Sequence, residues 1–124
     1  MPEAFRPITA SETALLERLL ELKVAGRDAL LQQLPGLQAQ IIDAEGSLRF
    51  RVTGGPLAPM KRGVIAEAQY TDTPESGSLG VQVNLLLHVL DGRLSILEFY
   101  KDDGTPIART PDPSELRLFS SHIR

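Results

Sequence analysis

Apolar and polar positions alternate through much of the second half of the chain, most strongly from Val81 to Tyr100, VQVNLLLHVLDGRLSILEFY. That stretch is broken only by Asp91-Gly92. Asp-Gly between two apolar runs is a strong hairpin signal, because both central residues of a type I′ turn need positive φ. Glycine adopts that conformation at no steric cost, and aspartate tolerates it better than most residues. The pattern predicts two long strands joined by a two-residue turn. With Leu90 opposite Arg93, strict outward pairing sets Val89, Leu87, Leu85 and Val83 against Leu94, Ile96, Glu98 and Tyr100 on one face. Leu90, His88, Leu86 and Asn84 then oppose Arg93, Ser95, Leu97 and Phe99 on the other. The first face is nearly all apolar and is expected to meet the core, with Glu98 as its one exception. The second is mixed.

Upstream the period changes. Phe5 to Ile8 reads as an extended lead-in, since Pro2 and Pro7 disfavour helix in the residue before each. Thr9-Ala10-Ser11-Glu12 has the form of a capping box, worth about 1 kcal/mol. Leu15, Leu16, Leu19, Leu20 and Leu22 come next at helical spacing, and Gly26 is a plausible stop. A helix of about 13 residues is marginal alone and must dock its leucines on the sheet. A second helix is expected over 27–34, with Leu30, Leu31 and Leu34 inward and Pro35-Gly36 ending it. Residues 37–43 and 47–53 read as another hairpin, and 64–71 as a further half-buried strand. Asp112-Pro113-Ser114-Glu115 has the makings of a capped single turn. The expected fold is α+β: one domain over 1–124, with two N-terminal helices on the Leu85, Leu87 and Ile96 face of an antiparallel sheet of about five strands.

Composition narrows this little. The 124 residues are 42% apolar and 23% charged, as in an ordinary globular domain large enough to fold without staples. There is no cysteine, which removes disulfides, thiolate nucleophiles and cysteine metal sites and fits a cytoplasmic location. The first residues lack the basic start and apolar core of a signal peptide, and no apolar run reaches the roughly 20 residues of a membrane span. The net charge of −3 is uneven: residues 1–62 carry eight basic and seven acidic side chains, residues 63–124 five and nine. That balance argues against general nucleic-acid binding.

Candidate chemistry is sparse. Glu98, placed on the core face, would have its carboxyl pKa raised by desolvation, and perturbed carboxylates gather at functional sites. The alternative is an ion pair at the open end of the strand. His88 facing Ser95, with Asp91 nearby, suggests a triad, but a mid-strand serine has its backbone amides spent on the ladder and lacks oxyanion donors. Metal binding finds no ligand spacing, since His88 and His122 are isolated and Asp102-Asp103-Gly104 is no calcium loop. Gly54-Gly55 before Lys61-Arg62 is followed by prolines and a strand, not by the helix a phosphate loop needs. No cofactor is expected. Antiparallel geometry gathers Asp72, Glu75, Asp102 and Asp103 at one end of the central hairpin, an acidic rim suited to a basic partner. Leu86, Leu97 and Phe99 form a possible homodimer face.

The stretches Leu87-His88-Val89-Leu90-Asp91-Gly92-Arg93-Leu94, Leu97-Glu98-Phe99-Tyr100, Asp103-Gly104 and Pro106-Ile107 resemble a small bacterial family of uncharacterised domains. Arg6-Pro7-Ile8-Thr9 with Glu12 and Leu15-Leu16 is similar too. The resemblance implies a bacterial cytosolic α+β domain and carries no assigned activity. Two functions stand open: a non-enzymatic protein-binding module, an immunity-type protein gripping a basic partner by the acidic rim being its concrete form, or a small hydrolase or ligand-binding enzyme with a pocket near Glu98, His88 and Tyr100. A concave pocket with convergent polar groups would favour the second.

Overall fold

A computed structural model describes residues 4–73 and 80–120. The capping box forms: Thr9 Oγ1 accepts from the Glu12 amide at 3.1 Å, and Glu12 Oε1 accepts from the Thr9 amide at 2.9 Å. Helix α1 (Ala10–Leu19) comes directly after it, burying Leu15, Leu16 and Leu19. It is shorter than its leucine stripe suggests. Leu20 turns to ψ 4° and the Arg27 guanidinium donates to its carbonyl, ending the helix while keeping Leu20 in the core. Helix α2 (Arg27–Leu31) is also shorter than 27–34, although Leu34 still packs inward.

The fold is α+β, with a seven-stranded antiparallel sheet in the order β1-β2-β3-β6-β5-β4-β7. The strands are β1 (Arg6–Pro7), β2 (Gln38–Ile41), β3 (Leu48–Arg51), β4 (Arg62–Thr71), β5 (Gln82–Leu90), β6 (Arg93–Lys101) and β7 (Arg117–Ser120). Seven rather than about five arise because β1 and β7 add to the two edges. Both are short, which limits the open backbone an edge presents. A 3₁₀ turn (Pro113–Glu115) precedes β7, capped by Asp112 as its sequence implies. No helix among the described residues is long and apolar enough to cross a membrane.

The central hairpin turns as predicted, with Asp91 at φ 51° and Gly92 at φ 75°. Leu90 pairs with Arg93 and Val89 with Leu94. There the strict register fails. Ser95 is an extra residue on β6, so His88 pairs with Ile96, Leu87 with Leu97, Leu86 with Glu98 and Leu85 with Phe99. A one-residue bulge reverses the facing of everything beyond it. Glu98 therefore leaves the core face, and Lys101 joins it opposite Val83. Leu97 is 1% exposed and Phe99 packs against the core, while Leu86 points the other way. The three residues expected to make one dimer face do not share a face. The helices cover Leu85 and Leu87 as expected, but not Ile96.

The β3–β6 contact is brief, pairing only Leu48 with Leu97 and Arg49 with Ile96. Side chains extend it at both ends. Ser47 Oγ accepts from the Phe99 amide at 2.9 Å. At the other end the fully buried Gln33 accepts from the Leu94 amide at 2.9 Å and donates to the Gly92 and Pro56 carbonyls, both at 2.8 Å. The loop 54–61 carries the chain from β3 across the hairpin turn to β4, and Ala58 donates to the Gly92 carbonyl at 2.9 Å. A Cβ at Gly92 would lie 2.5 Å from that alanine's carbonyl oxygen, so both the turn and the crossing loop require glycine here.

Candidate functional site

The bulge brings His88 and Glu98 together on the face of the sheet that the helices leave uncovered. His88 Nε2 lies 2.9 Å from Glu98 Oε1, with both side chains partly exposed. Glu98 is thus a surface partner of histidine, not a desolvated carboxylate. Ser95, within the bulge, no longer opposes His88, so the triad arrangement is gone.

The acidic rim also changes character. Asp72 is 1% exposed, and its Oδ2 accepts from Lys101 Nζ at 2.8 Å and from the Ala108 amide at 2.8 Å. Burial pushes its carboxyl pKa up, but the Lys101 hydrogen bond and the amides of Ala108 and Thr73 outweigh that and hold it below the usual value. Asp72 is therefore half of a buried ion pair and presents nothing to a partner. Asp102 is exposed and accepts from Asn84 Nδ2 at 2.6 Å. Asp103 is exposed and holds the Thr105 amide and hydroxyl, which lower its pKa. Glu75 and His122 lie outside the described residues.

A cavity of about 280 Å³ opens on the helical side of the sheet, floored by Leu15, Leu48, Leu97 and Phe99. Its polar rim includes Glu12, Glu45, Tyr70 and Arg109, and its lining does not include His88, Glu98 or Tyr100. Most of that rim is tied into the fold. Glu12 is chelated by Arg6 at 2.6 and 2.7 Å while it caps α1. Burial pushes its pKa up, and the Arg6 and Thr9 contacts bring the net below the usual value. Tyr70 donates to the Arg109 carbonyl at 2.8 Å. Burial, then the charge of Asp72, pushes its phenol up to about 12. Arg109 grips Glu115 at 2.7 and 2.5 Å, and together with the Asp112 amide this holds the Glu115 carboxyl down to about 2. Among the described residues no cluster of three or more His, Asp or Glu is placed to hold a metal. Among the described residues the cavity lining brings no nucleophile together with a base.

The uncovered face offers more. Opposed pairs share a face, so Arg62, Leu90 and Arg93 line up across β4, β5 and β6, with Val64, His88, Ile96 and Arg49 in the next register. Farther along lie Glu67, Leu86 and Glu98, then Asn84 and Tyr100, with Phe119 beside Glu67 on β7. Leu90, Tyr100 and Phe119 are 42, 43 and 38% exposed. Among the described residues Arg49, Arg62 and Arg93 are exposed and make no ion pair or side-chain hydrogen bond. Reading the sequence without the bulge misses this arrangement. A signal is present in the sequence, because in the second half of β6 the apolar pair Leu97 and Phe99 has the opposite parity to Leu94.

A family model described as a domain of unknown function, DUF6984, matches residues 5–111. The chain belongs to the DUF6984 family. The match takes in α1 with its capping box, both hairpins and the cavity, and stops just before the 3₁₀ turn and β7. No curated protein and no solved structure matches the chain. In this DUF6984 member the uncovered sheet face carries three exposed arginines, Arg49, Arg62 and Arg93, that are not committed to holding the fold.

Proposed function

We propose that this DUF6984 chain is a non-enzymatic protein-binding module that works through the uncovered face of its sheet. The observation that carries the reading is the contrast between its two surfaces. Around the cavity, Glu12, Tyr70 and Arg109 are each spent on a structural partner. On the open sheet, exposed arginines and half-exposed apolar side chains sit side by side on a rigid antiparallel scaffold. A face of mixed apolar and charged residues, with arginine and aromatics prominent, has the composition of a protein interface.

A photo-crosslinking amino acid at Ile96, compared with one at Glu17 on the outer side of α1, tests the reading in native lysate. The expected result is a discrete adduct from position 96 alone. The adducted protein, once purified, should bind the wild-type chain and lose most of its affinity for Leu86→Arg. Equal adducts from both positions, or undiminished binding by Leu86→Arg, would overturn the proposal.

A further inference from the structure

We infer that the segment docking on this face is an acidic stretch interleaved with apolar residues, received by the arginines at the turn end of the central hairpin. This rests on reading the open sheet as a protein-binding face. Arg62 on β4 and Arg93 on β6 flank Leu90, and Arg49 on β3 lies one register back beside Ile96. With strands about 4.8 Å apart, the four strands carry these guanidiniums across roughly 14 Å. Arg51, on the same face as Arg49, is already held by Gln38 Oε1 at 2.8 Å and stacks on Phe5 with 4.4 Å to the ring centroid. The other three are uncommitted cations with exposed or half-exposed apolar side chains between them. An extended peptide presents alternate side chains to one side about 6.8 Å apart. Carboxylates at that spacing can each meet a guanidinium in two-pronged hydrogen bonding, with apolar residues settling on Leu90, Val64 and Ile96.

The opposing charges favour a peptide over a nucleic acid. Asp91 stands at the turn tip, and Glu67 and Glu98 lie on the same face beyond the arginines. A phosphate backbone continuing along the sheet would run onto both glutamates. The exposed aromatics Tyr100 and Phe119 lie at that acidic end, too far from the arginines to stack bases whose phosphates they hold.

The test is amide chemical-shift mapping on the full chain at low and high salt. The probes are a peptide of alternating glutamate and leucine, its glutamine counterpart, and a single-stranded oligothymidylate. The glutamate peptide should shift Arg49, Arg62, Arg93 and Ile96, with affinity falling as salt rises. Each Arg→Gln change should weaken it about two- to fivefold, the range of exposed ion pairs. The R49Q/R62Q/R93Q chain should keep its unfolding midpoint and lose the shifts. Equal binding of the glutamine peptide at this face would overturn the acidic assignment and leave the face itself standing. Tighter binding of the oligothymidylate at the same amides would overturn it in favour of phosphate. Absence of any shift there with the glutamate peptide would also overturn it, while the Ile96 crosslink decides the face independently.

Discussion

Gln33 joins three parts of the chain that are distant in sequence: the end of α2, the crossing loop through Pro56, and the central turn through Gly92 and Leu94. Its side chain is fully buried, so its removal orphans the buried Leu94 donor. Gln33→Ala should therefore cost about 2–3 kcal/mol in urea unfolding, the scale of a buried group left without a partner. Nothing in the local pattern hints at this, since Gln32-Gln33 between Leu31 and Leu34 looks like the solvated face of the expected helix. Asp72 is opaque for a related reason: it comes after Tyr70-Thr71 and before a run of turn residues, and only Lys101 from across the sheet makes it internal. Asp72→Asn would leave the Lys101 ammonium buried without its counter-charge, a loss of about 3–5 kcal/mol at neutral pH, and Lys101→Met added to it should restore part of that. The lowered Asp72 pKa sets the sign with pH. The pair's contribution is complete above the unfolded value near 3.8 and drains away as pH falls toward the lower folded value. Wild type should lose stability through that window more steeply than Asp72→Asn, and parallel curves would count against the ion pair.

At the scale of elements, the hairpin is where the pattern succeeds and then slips. Asp91-Gly92 is enough to place the turn and the first two pairs, because turn geometry dictates them locally. A bulge has no such local signature. Ser95 occupies what looks like an ordinary polar position in Leu94-Ser95-Ile96, and only the facing of Leu97 and Phe99 farther along the strand exposes the parity break. The physical argument against strict pairing is the carboxylate it puts on the core face. Neither the hydroxyl nor the extra residue itself should be essential at this position. Ser95→Ala should change stability by no more than about 0.5 kcal/mol. Deleting Ser95 would make Leu94 and Ile96 consecutive and leave His88–Ile96, Leu87–Leu97 and Leu85–Phe99 paired as they are, with Leu97 and Phe99 still inward. The shortened chain should therefore keep its fold and lose no more than about 1–3 kcal/mol. A deletion that fails to fold, measured by denaturant unfolding, would mean that Ser95 is more than an extra residue between two correctly facing halves of β6.

The whole molecule depends on pairings that no local pattern carries. Helix α1, the second hairpin and the central strands are each legible because period or turn chemistry declares them. The strand order is not, because β3 and β4 are consecutive in sequence yet separated in the sheet by β6 and β5. The edge strands are illegible for a different reason: β1 is two residues and β7 four, and each exists through the partner it pairs with. That matters most at the C-terminal side, where the family match ends at residue 111 while the fold also draws on residues 112–120. Arg18 of α1 donates to the carbonyls of Pro113 and Leu116 at 3.2 and 3.0 Å, and Leu116 is buried. Glu115 clamps Arg109 beside Tyr70, and β7 pairs with Ala66 to Gln69 of β4. Ending the chain after Pro111 would strip all of these and turn β4, a ten-residue strand, into an open edge. The loss of Leu116 alone should cost about 2–5 kcal/mol, as for a core leucine. The truncated chain should unfold at clearly lower urea and elute as larger species in size-exclusion chromatography as its bare β4 edges pair. A truncated chain that stays monomeric with an unchanged midpoint would place the structural boundary at residue 111 and make β7 an ornament of the sheet rather than its closing strand.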